Sequence, residues 1–352
     1  MKRMKEEKKK QYPIDFVLFW VDPANEQWQK EKAEYRAKQL HDPDQDVNQA
    51  ARYRDWDNLQ YWFRGVEKYA PWVRKIYFVT WGAVPEWLDT TNPKLEIVYD
   101  HDILPEGCAP VFSPNPKEIN IHRIPGISEH FVYFNDDMFL TKETVPEDFF
   151  VNGLPREMAV SYVLSNNSDK DSFHHMLFTM IGVINGFFSK KEVQHRHWRQ
   201  WYTLKYGKQV INTLRTRSLS FFSGIMIPHL PSSMRKSTYE EVWDALEDRL
   251  LETSSHRFRD PMDLTQYIFR YWAICKGEIA PTNAFRYGRE YFFHDGLTEE
   301  LCGDIAGRKY KMICINDNWK IRDFEYCKAR IREAFEMILP EKSSFEKENY
   351  ER

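Results

Sequence analysis

The chain of 352 residues is long enough to bury a large core, as one elaborated domain or as two interleaved domains. Its formal net charge of −3 gives no electrostatic case for binding nucleic acid. No apolar run approaches the roughly 18–20 residues that would span a membrane. Aromatic residues make up 16% of the chain, which suits stacking on sugars or bases as well as a bulky core.

The first eleven residues are strongly charged and lack the apolar segment of a secretory signal. We predict a disordered basic leader over 1–11. Its lysines would favour an anionic membrane surface, whereas Glu6 and Glu7 dilute the charge and make a frayed tail the simpler alternative. The five cysteines are scattered without metal spacing, so we expect free thiols in a reducing compartment. These features predict a cytoplasmic protein.

Short apolar runs bounded by turn residues recur along the chain and predict β-strands. They lie at 14–21, 75–81, 95–99, 130–134 and 311–315. Apolar residues at helical spacing from Leu59 to Val66 predict an amphipathic helix between the first two. Because strands alternate with short helices, we predict an α/β fold with a mainly parallel sheet and helices on both faces.

Acidic and amide side chains directly follow several predicted strands. Asp22 follows the first, Asn135, Asp136 and Asp137 follow the fourth, and Asn316 with Asp317 follow the last. A buried strand that ends in adjacent carboxylates is a common way to present a divalent cation and a phosphorylated ligand. The alternative is a set of polar turns, in which Asp is common. The triplet Asp100-His101-Asp102 also follows a strand, although such a triplet is more often a loop.

Two further groups of charged residues precede or flank predicted helices. Asp55 and Asp57 lie where the helix from Leu59 begins, a position that capping alone would explain. The adjacent Arg52 and Arg54 bring more charge than one cap requires, which favours a functional site.

Glu118 and His122 are four residues apart, so they would share one face of a helix. Each could bind a ligand, or the two could form a local polar pair.

The pattern changes after residue 150, where polar residues at 165–220 predict helices inserted into the core. Ser237 to Glu240 has the form of a capping box that opens a helix, and a final amphipathic helix runs from Phe324 until Pro340 stops it. We divide the chain into the leader at 1–11, a single domain at 12–340 with its α/β core at 12–150 and about 305–340 and its helical insertion at about 165–300, and a charged tail at 341–352.

The order of these motifs resembles the Stealth family. Four blocks carry the resemblance to its four regions: IDFVLFWVD at 14–22, RYRDWDNLQYWFRGVEKYAPWVRKIYFVTWGAVPEWL at 52–88, FSPNPKEINIHRIPGISEHFVYFNDDMFL at 112–140 and CINDN at 314–318. PHLP at 228–231 and TSSHRFRDPMDL at 253–264 also resemble family segments. The second and third blocks are long and ordered, so chance is a poor explanation.

The resemblance implies a sugar-1-phosphate transferase. Such an enzyme passes a hexose-1-phosphate, such as N-acetylhexosamine-1-phosphate, from a UDP-sugar to a hydroxyl of an oligosaccharide or polysaccharide acceptor. A phosphodiester forms and UMP leaves, as in capsular polysaccharide synthesis. The implied fold is a glycosyltransferase-A-like α/β core with helical insertions. The implied location is the cytoplasm, at the inner face of the cell membrane.

The resemblance also assigns roles where the motifs match. His229 and Arg259 match the spacing of the family's essential His and Arg. From the chemistry of the transfer we expect His229 to be the general base and Arg259 to clamp the phosphoryl oxygens, the alternative for His229 being a structural histidine that follows Pro228 at a strand end. Asp55 and Asp57 fall on its acidic cluster, without deciding which one acts. The expected donor-binding residues are Asp22, Arg54, Asn135 and His122, and those for Mg²⁺ or Mn²⁺ are Asp136, Asp137, Asn316 and Asp317. Trp56 and Trp81 depart from the family pattern, which would alter donor or acceptor choice.

Two other functions compete with this interpretation. A conventional metal-dependent glycosyltransferase on the same core would transfer the sugar alone and release UDP, and Asp100-His101-Asp102 has the Asp-x-Asp form that would serve it. A non-catalytic carbohydrate-binding module would use the Trp-rich surface and bind sugar without metal. The released nucleotide distinguishes the two enzymes.

Overall fold

A computed structural model describes residues 12–38, 55–166, 172–317 and 321–350. The predicted leader at 1–11 and the donor-binding candidate Arg54 lie outside these ranges. The strands are β1 Ile14–Phe19, β2 Ile76–Thr80, β3 Leu95–Tyr99, β4 His130–Phe134, β5 Met138–Leu140, β6 Phe150–Val151, β7 Leu154–Glu157, β8 Ser232–Arg235, β9 Ala280–Pro281, β10 Gly288–Phe292 and β11 Met312–Asn316. The helices are α1 Glu26–Lys38, α2 Leu59–Tyr69, α3 Asp100–Ile103, α4 Pro114–Glu118, α5 Ser172–Phe187, α6 Lys190–Arg196, α7 Trp198–Trp201, α8 Val210–Arg215, α9 Lys236–Ser255, α10 Tyr267–Lys276, α11 Thr298–Ala306 and α12 Phe324–Ile338.

The central sheet has the strand order β3-β2-β1-β4-β8. The first four strands are parallel, and β8 adds an antiparallel edge to β4. Successive side chains of β1 enter opposite cores: Phe16 and Leu18 pack on one face of the sheet, and Val17 and Phe19 on the other. A sheet covered on both faces needs such uniformly apolar strands. The predicted α/β architecture with a mainly parallel sheet is confirmed.

A second sheet, β10-β11-β5, carries the last strand. β11 runs parallel to β10 and antiparallel to β5, with Ile313 opposite Phe139. Only the turn 135–137 separates β5 from the central strand β4. The backbone N–H of Ile315 donates to the carbonyl of Asp137 at 2.8 Å. The small sheet therefore brings the end of β11 against the turn that follows β4.

The segment predicted as a helical insertion at about 165–300 does contain helices α5 to α10, but it also supplies three strands, β8, β9 and β10, to the sheets. β8 completes the edge of the central sheet and β10 pairs with β11. The expected capping box is wrong in detail, because α9 begins at Lys236, before it. The Ser237 hydroxyl instead donates to Glu129 Oε1 at 2.5 Å.

All five cysteines are buried as free thiols. Burial raises the pKa of the Cys275 thiol and, with carboxylates nearby, of the Cys314 thiol. Buried protonated thiols behave as small apolar side chains. In the described parts of the chain, no helix has the length and low polarity needed to cross a membrane.

The charged segment after residue 340, predicted as a tail, packs against the domain over much of its length. Phe345 is buried against Phe63 of α2, with ring centroids 5.4 Å apart. Arg64 binds both carboxylate oxygens of Glu346 at 2.8 Å. The backbones of Glu346 and Leu88 also form an isolated antiparallel β-bridge. The segment is thus a clasp over α2, which its charged composition conceals.

We expect Phe345→Ala to destabilise the protein by about 3–5 kcal/mol, the usual cost of truncating a buried aromatic residue. Urea unfolding followed by tryptophan fluorescence measures this difference. Phe292→Ala is the matched control, because Phe292 is 65% exposed, and it should cost under about 1 kcal/mol. If Phe345→Ala lowered the free energy of unfolding by as little as Phe292→Ala does, the segment would not contribute to the stability of the fold.

Candidate active site

The turn 135–137 lies at the carboxyl end of β4, where the two sheets meet. Tyr133 is the residue before the last of that strand. Its hydroxyl donates to Asn135 Oδ1, and the hydroxyl oxygen lies 3.0 Å from Glu118 Oε1. Asn135 Nδ2 is 3.4 Å from His229 Nε2. The side-chain amide of Asn135 therefore contacts Tyr133 through its oxygen and the Nε2 edge of the His229 imidazole through its nitrogen.

His229 precedes β8 and is oriented through both ring nitrogens. Nδ1 lies 3.0 Å from the Tyr267 hydroxyl at the start of α10, and Nε2 lies 3.9 Å from Asp137 Oδ2. Burial lowers the pKa of His229, but Asp137 and the nearby Glu290 raise it by more, so the net shift is upward. The ring is held in one orientation with its Nε2 edge toward the carboxylates.

Asp137 is the acidic centre of the group. Its Oδ1 is buried, and among the described residues it has no hydrogen-bond partner. Potential ligand atoms of Asp137, His229 and Cys314 lie within 4.8 Å of one another. Because the Cys314 thiol has a raised pKa, it stays protonated and is a poor ligand for a hard cation. The orphaned carboxylate oxygen, by contrast, is a fitting ligand for Mg²⁺ or Mn²⁺.

Asp136 shares the turn with Asp137. Desolvation by the surrounding protein and the charge of Asp137 raise the pKa of Asp136 to about 7. Lys117 of α4 opposes this shift and also faces Asp100. Two adjacent carboxylates with one buried lysine nearby form a site that gains from an added cation.

The residues after β11 reach the same place. Asn316 Nδ2 donates to Glu290 Oε1 at 3.3 Å, and Trp56 Nε1 donates to Asp317 Oδ2 at 3.2 Å. The indole ring of Trp56 packs edge-on against Phe324, with centroids 4.7 Å apart. Trp56 departs from the family pattern, and in this structure its indole N–H holds the carboxylate of Asp317 in place.

Asp55 and Asp57 point in different directions. Asp55 Oδ1 accepts a hydrogen bond from the backbone of Asp57 at 2.7 Å, and the charge of Asp55 raises the pKa of Asp136. Asp57 has a positive φ of 49° and lies 3.7 Å from Arg332 of α12. The charge of Asp55 thus acts on the acidic group, whereas Asp57 lies beside the last helix.

Arg259 lies in a loop between α9 and α10. Burial raises the pKa of Glu118, and the charge of Arg259 opposes that shift. It lines a cavity of about 240 Å³ together with Tyr35, Lys38, Ser255, His256, Arg257, Phe258 and Asp260. The loop is anchored by Asp263, which is fully buried and accepts from Asn115 Nδ2 at 2.7 Å. His256 Nδ1 lies 2.6 Å from the other oxygen of Asp263.

The anchor of this loop predicts a pH-dependent stability. The hydrogen bond and charge of Asp263 raise the pKa of His256. A raised histidine pKa contributes stability that is complete below the unfolded value of about 6.5 and is lost as pH rises through the folded pKa. We therefore expect His256→Gln to cost about 1–2 kcal/mol at acidic pH and less at alkaline pH.

Urea unfolding of the wild type and of His256→Gln on both sides of neutrality tests the anchor. His195→Gln, at an exposed histidine of α6, is the control and should show no such dependence. A stability difference that grew with pH would contradict a charged His256 in the folded protein.

Two donor-binding candidates are not brought to this group by any contact among the described residues. Asp22 Oδ1 accepts from the backbone of Ala24 at 2.9 Å, as in a turn before α1. The ring of His122 lies between Tyr239 and Trp243 of α9, 5.6 and 5.7 Å from their centroids. Burial lowers the pKa of His122 to about 3, so the ring stays neutral.

Two expectations about local structure are wrong. Glu118 and His122 do not share a helical face, because α4 ends at Glu118 and a separate 3₁₀ helix covers Ile121–Arg123. The triplet Asp100-His101-Asp102 is the first turn of α3 rather than a loop. Asp100 is buried there, whereas His101 and Asp102 are exposed and 3.5 Å apart.

Three functional candidates had no distinguishing signal in the sequence. Glu290 lies on β10, where burial raises its pKa and the charge of His229 opposes the shift. Tyr267 orients the imidazole, and Lys117 faces the acidic turn. Each is placed by tertiary packing from a different part of the chain, so no local spacing could have marked it.

Comparison with known proteins places the chain in a family. Family models for Stealth protein conserved region 2, conserved region 3 and conserved region 4 match residues 52–157, 228–271 and 304–352. Receptor polysaccharide phosphotransferase WefC of Streptococcus gordonii is 40% identical over 335 residues, covering 95% of this chain and 98% of WefC. Exopolysaccharide phosphotransferase cps2G of Lactiplantibacillus plantarum is 38% identical over 340 residues, covering 96% and 97%. The chain belongs to the Stealth family, and the resemblance inferred from the sequence is confirmed.

The family models correct one detail of that inference. The block at 112–140, taken as a third region, lies within conserved region 2. Conserved region 3 is instead the segment that contains His229 and Arg259. Among solved structures, the galactosyltransferase LgtC in complex with donor and acceptor sugar analogues matches with a TM-score of 0.40 and 9% identity, covering 92% of this chain and 96% of LgtC.

Proposed function

We propose that this protein transfers a hexose-1-phosphate, such as N-acetylhexosamine-1-phosphate, from a UDP-sugar to a hydroxyl of a glycan acceptor and releases UMP. The process served would be capsular or other cell-surface polysaccharide synthesis, as the names of its Stealth relatives indicate. The observation that carries the proposal is an oriented histidine beside a buried carboxylate oxygen for which the described residues offer no hydrogen-bond partner.

His229 is the proposed general base. If Nδ1 carries the ring proton, it donates to the Tyr267 oxygen, and Nε2 is then the basic atom at the edge facing the turn. Nε2 would accept the proton of the acceptor hydroxyl as the oxygen attacks the sugar-linked phosphorus. The phosphorus–oxygen bond to UMP breaks, so the phosphate stays with the sugar in the new phosphodiester.

Asp137, with Asp136 and Asp317 as further oxygen ligands and Asn316 at its side, would hold Mg²⁺ or Mn²⁺. The cation would neutralise the pyrophosphate charge of the donor. The charge of Asp55 acts on Asp136, so Asp55 is the better of the two acidic candidates preceding α2. The protonated Cys314 would close the site without binding the ion.

Cationic side chains would complete the donor site. The planar guanidinium of Arg259 can bind two phosphoryl oxygens at once, whereas Lys117 offers a point charge beside Asp136. Asn135, held by Tyr133 and His229, is placed to bind the sugar-phosphate. Asp22 and His122 remain donor-binding predictions without a contact to support them.

The decisive experiment follows both the nucleotide and the phosphorus. The protein is incubated with UDP-sugars labelled at the β-phosphate, a capsule-type oligosaccharide and Mg²⁺, with and without EDTA. Sugar-1-phosphate transfer predicts cation-dependent UMP and label in the glycan. Release of labelled UDP would identify a conventional glycosyltransferase and would remove the roles given to His229 and Arg259.

A further inference from the structure

Several large apolar side chains of helix α5 and of the segment after α8 are exposed. Helix α5 contains no Asp, Glu, Lys or Arg in its 16 residues, yet Phe178 and Phe187 are 44% and 51% exposed. After α8 the chain exposes Leu219 and Phe221, the latter by 58%. A soluble domain normally buries such residues, and a group of them marks an interaction surface.

Internal contacts hold these residues in one region. Asn185 of α5 exchanges two hydrogen bonds with the backbone of Phe222, at 2.8 and 2.9 Å. The buried ammonium of Lys190, where α6 begins, donates to the carbonyls of Thr216 and Leu219. The end of α5, the start of α6 and the segment after α8 are therefore neighbours. We call this region the α5–α8 surface; its apolar members are Phe187, Leu214, Leu219 and Phe221, and its basic members are Lys191, Arg215 and Arg217.

The charge of the surrounding segment is strongly one-sided. Residues 172–222 contain eight Lys or Arg and a single acidic residue, Glu192, in a chain whose net charge is −3. Lys190 is buried, and the other seven cations are exposed. They are Lys191, Arg196, Arg199, Lys205, Lys208, Arg215 and Arg217. Basic side chains interleaved with exposed Phe, Leu and Trp are the composition of elements that lie in the interface of an anionic bilayer.

We propose that the α5–α8 surface docks this protein on an anionic phospholipid bilayer. The apolar side chains would enter the boundary between headgroups and acyl chains, while the lysines and arginines pair with lipid phosphates. Charge complementarity selects this occupant. The segment exposes seven cations and contains one acidic residue, so it attracts an anionic bilayer and repels a basic partner. The proposal does not depend on which group the enzyme transfers.

Helix α5 also relates this surface to the catalytic group. Phe173, near its first turn, packs against Tyr267 with ring centroids 6.0 Å apart, and Tyr267 contacts His229. Phe187 lies at the other end of the helix, about 21 Å further along at 1.5 Å per residue. The docking surface and the candidate site thus lie at opposite ends of helix α5.

Co-sedimentation with vesicles tests the proposal. We expect the full chain to bind phosphatidylglycerol vesicles at least about tenfold more tightly than phosphatidylcholine vesicles, and to lose most of that binding when salt rises above about 0.5 M. Leu214→Ser with Phe221→Ser, and separately Arg215→Glu with Arg217→Glu, should each weaken binding by about tenfold or more. Transfer to a short soluble acceptor should be unchanged in both double variants.

Matched controls use equally exposed residues elsewhere on the molecule. Phe292→Ser with Met337→Ser removes side chains that are 65% and 68% exposed, and Lys142→Glu with Lys347→Glu reverses two exposed charges. Both controls should bind vesicles as the wild type does. Wild-type binding by the α5–α8 variants would overturn the proposal and point to the basic leader. A protein that ignores vesicles but forms dimers broken by those variants would overturn it as well, in favour of contact between copies.

Discussion

His229→Gln is expected to lower the rate of UMP release by about 10²–10⁴-fold while the protein remains folded, because a positioned general base contributes that much to such a transfer. Glutamine retains a polar group of similar reach but cannot accept the proton. Tyr267→Phe removes the partner of Nδ1 and leaves the ring in place, so we expect a smaller loss, of about tenfold. Initial rates with a saturating UDP-sugar and a fixed acceptor measure both effects.

The control for His229→Gln is His101→Gln, at an exposed histidine of α3. It should leave both the rate and the thermal unfolding curve unchanged. Turnover near the wild-type rate in folded His229→Gln would exclude this residue as the base. A variant that had simply unfolded would be recognised by its circular dichroism.

Asp137→Asn is expected to abolish cation binding. A ligand that binds only the folded state at about 100 times its Kd stabilises that state by about 2.7 kcal/mol. We therefore expect Mg²⁺ or Mn²⁺ to raise the unfolding temperature of the wild type and to leave that of Asp137→Asn unaltered. The reason is the loss of the carboxylate whose buried Oδ1 has no hydrogen-bond partner in the described ranges of the chain. Thermal unfolding with and without the ion gives this result without any assay of turnover.

Asp102→Asn provides the matched control, since Asp102 is an exposed aspartate outside the site. It should retain the full response to the cation. If Asp137→Asn were stabilised as strongly as the wild type, the ion would bind elsewhere, and the oxygen ligands proposed around the turn 135–137 would be wrong. Asp136→Asn should weaken the response without removing it, because the carboxylate of Asp137 would still be available to the ion.

The central strands could be predicted from the sequence because turn residues bound them on both sides. β3 and β4 have the predicted limits, Leu95–Tyr99 and His130–Phe134. The place of β11 could not be predicted, because its partner β5 is a three-residue strand, Met138–Leu140, too short to stand out. The clasp formed by Phe345 and Glu346 was also missed, since a short segment rich in charge resembles a solvated tail.

The site divides in the same way. Adjacent aspartates after a buried strand are a local pattern, so Asp136 and Asp137 could be recognised before any coordinates. The positive φ of Asp57, by contrast, is not specified by the residue types, so the different surroundings of Asp55 and Asp57 could not be predicted. Glu290 reaches the site only through the pairing of β10 with β11, a contact that no local spacing encodes.

The meeting of the two sheets at the turn 135–137 has a consequence for biosynthesis. The carboxylates of that turn are made well before β11, which pairs with β5 and ends at Asn316. Until β11 has emerged, β5 lacks this partner strand and the candidate site lacks the side that β11 forms. Pairings so distant along the chain form slowly, because the intervening segment must close first. A nascent chain would thus stay inert until β11 has left the ribosome, and products truncated before β11 would expose an unpaired strand edge that favours aggregation rather than partial activity.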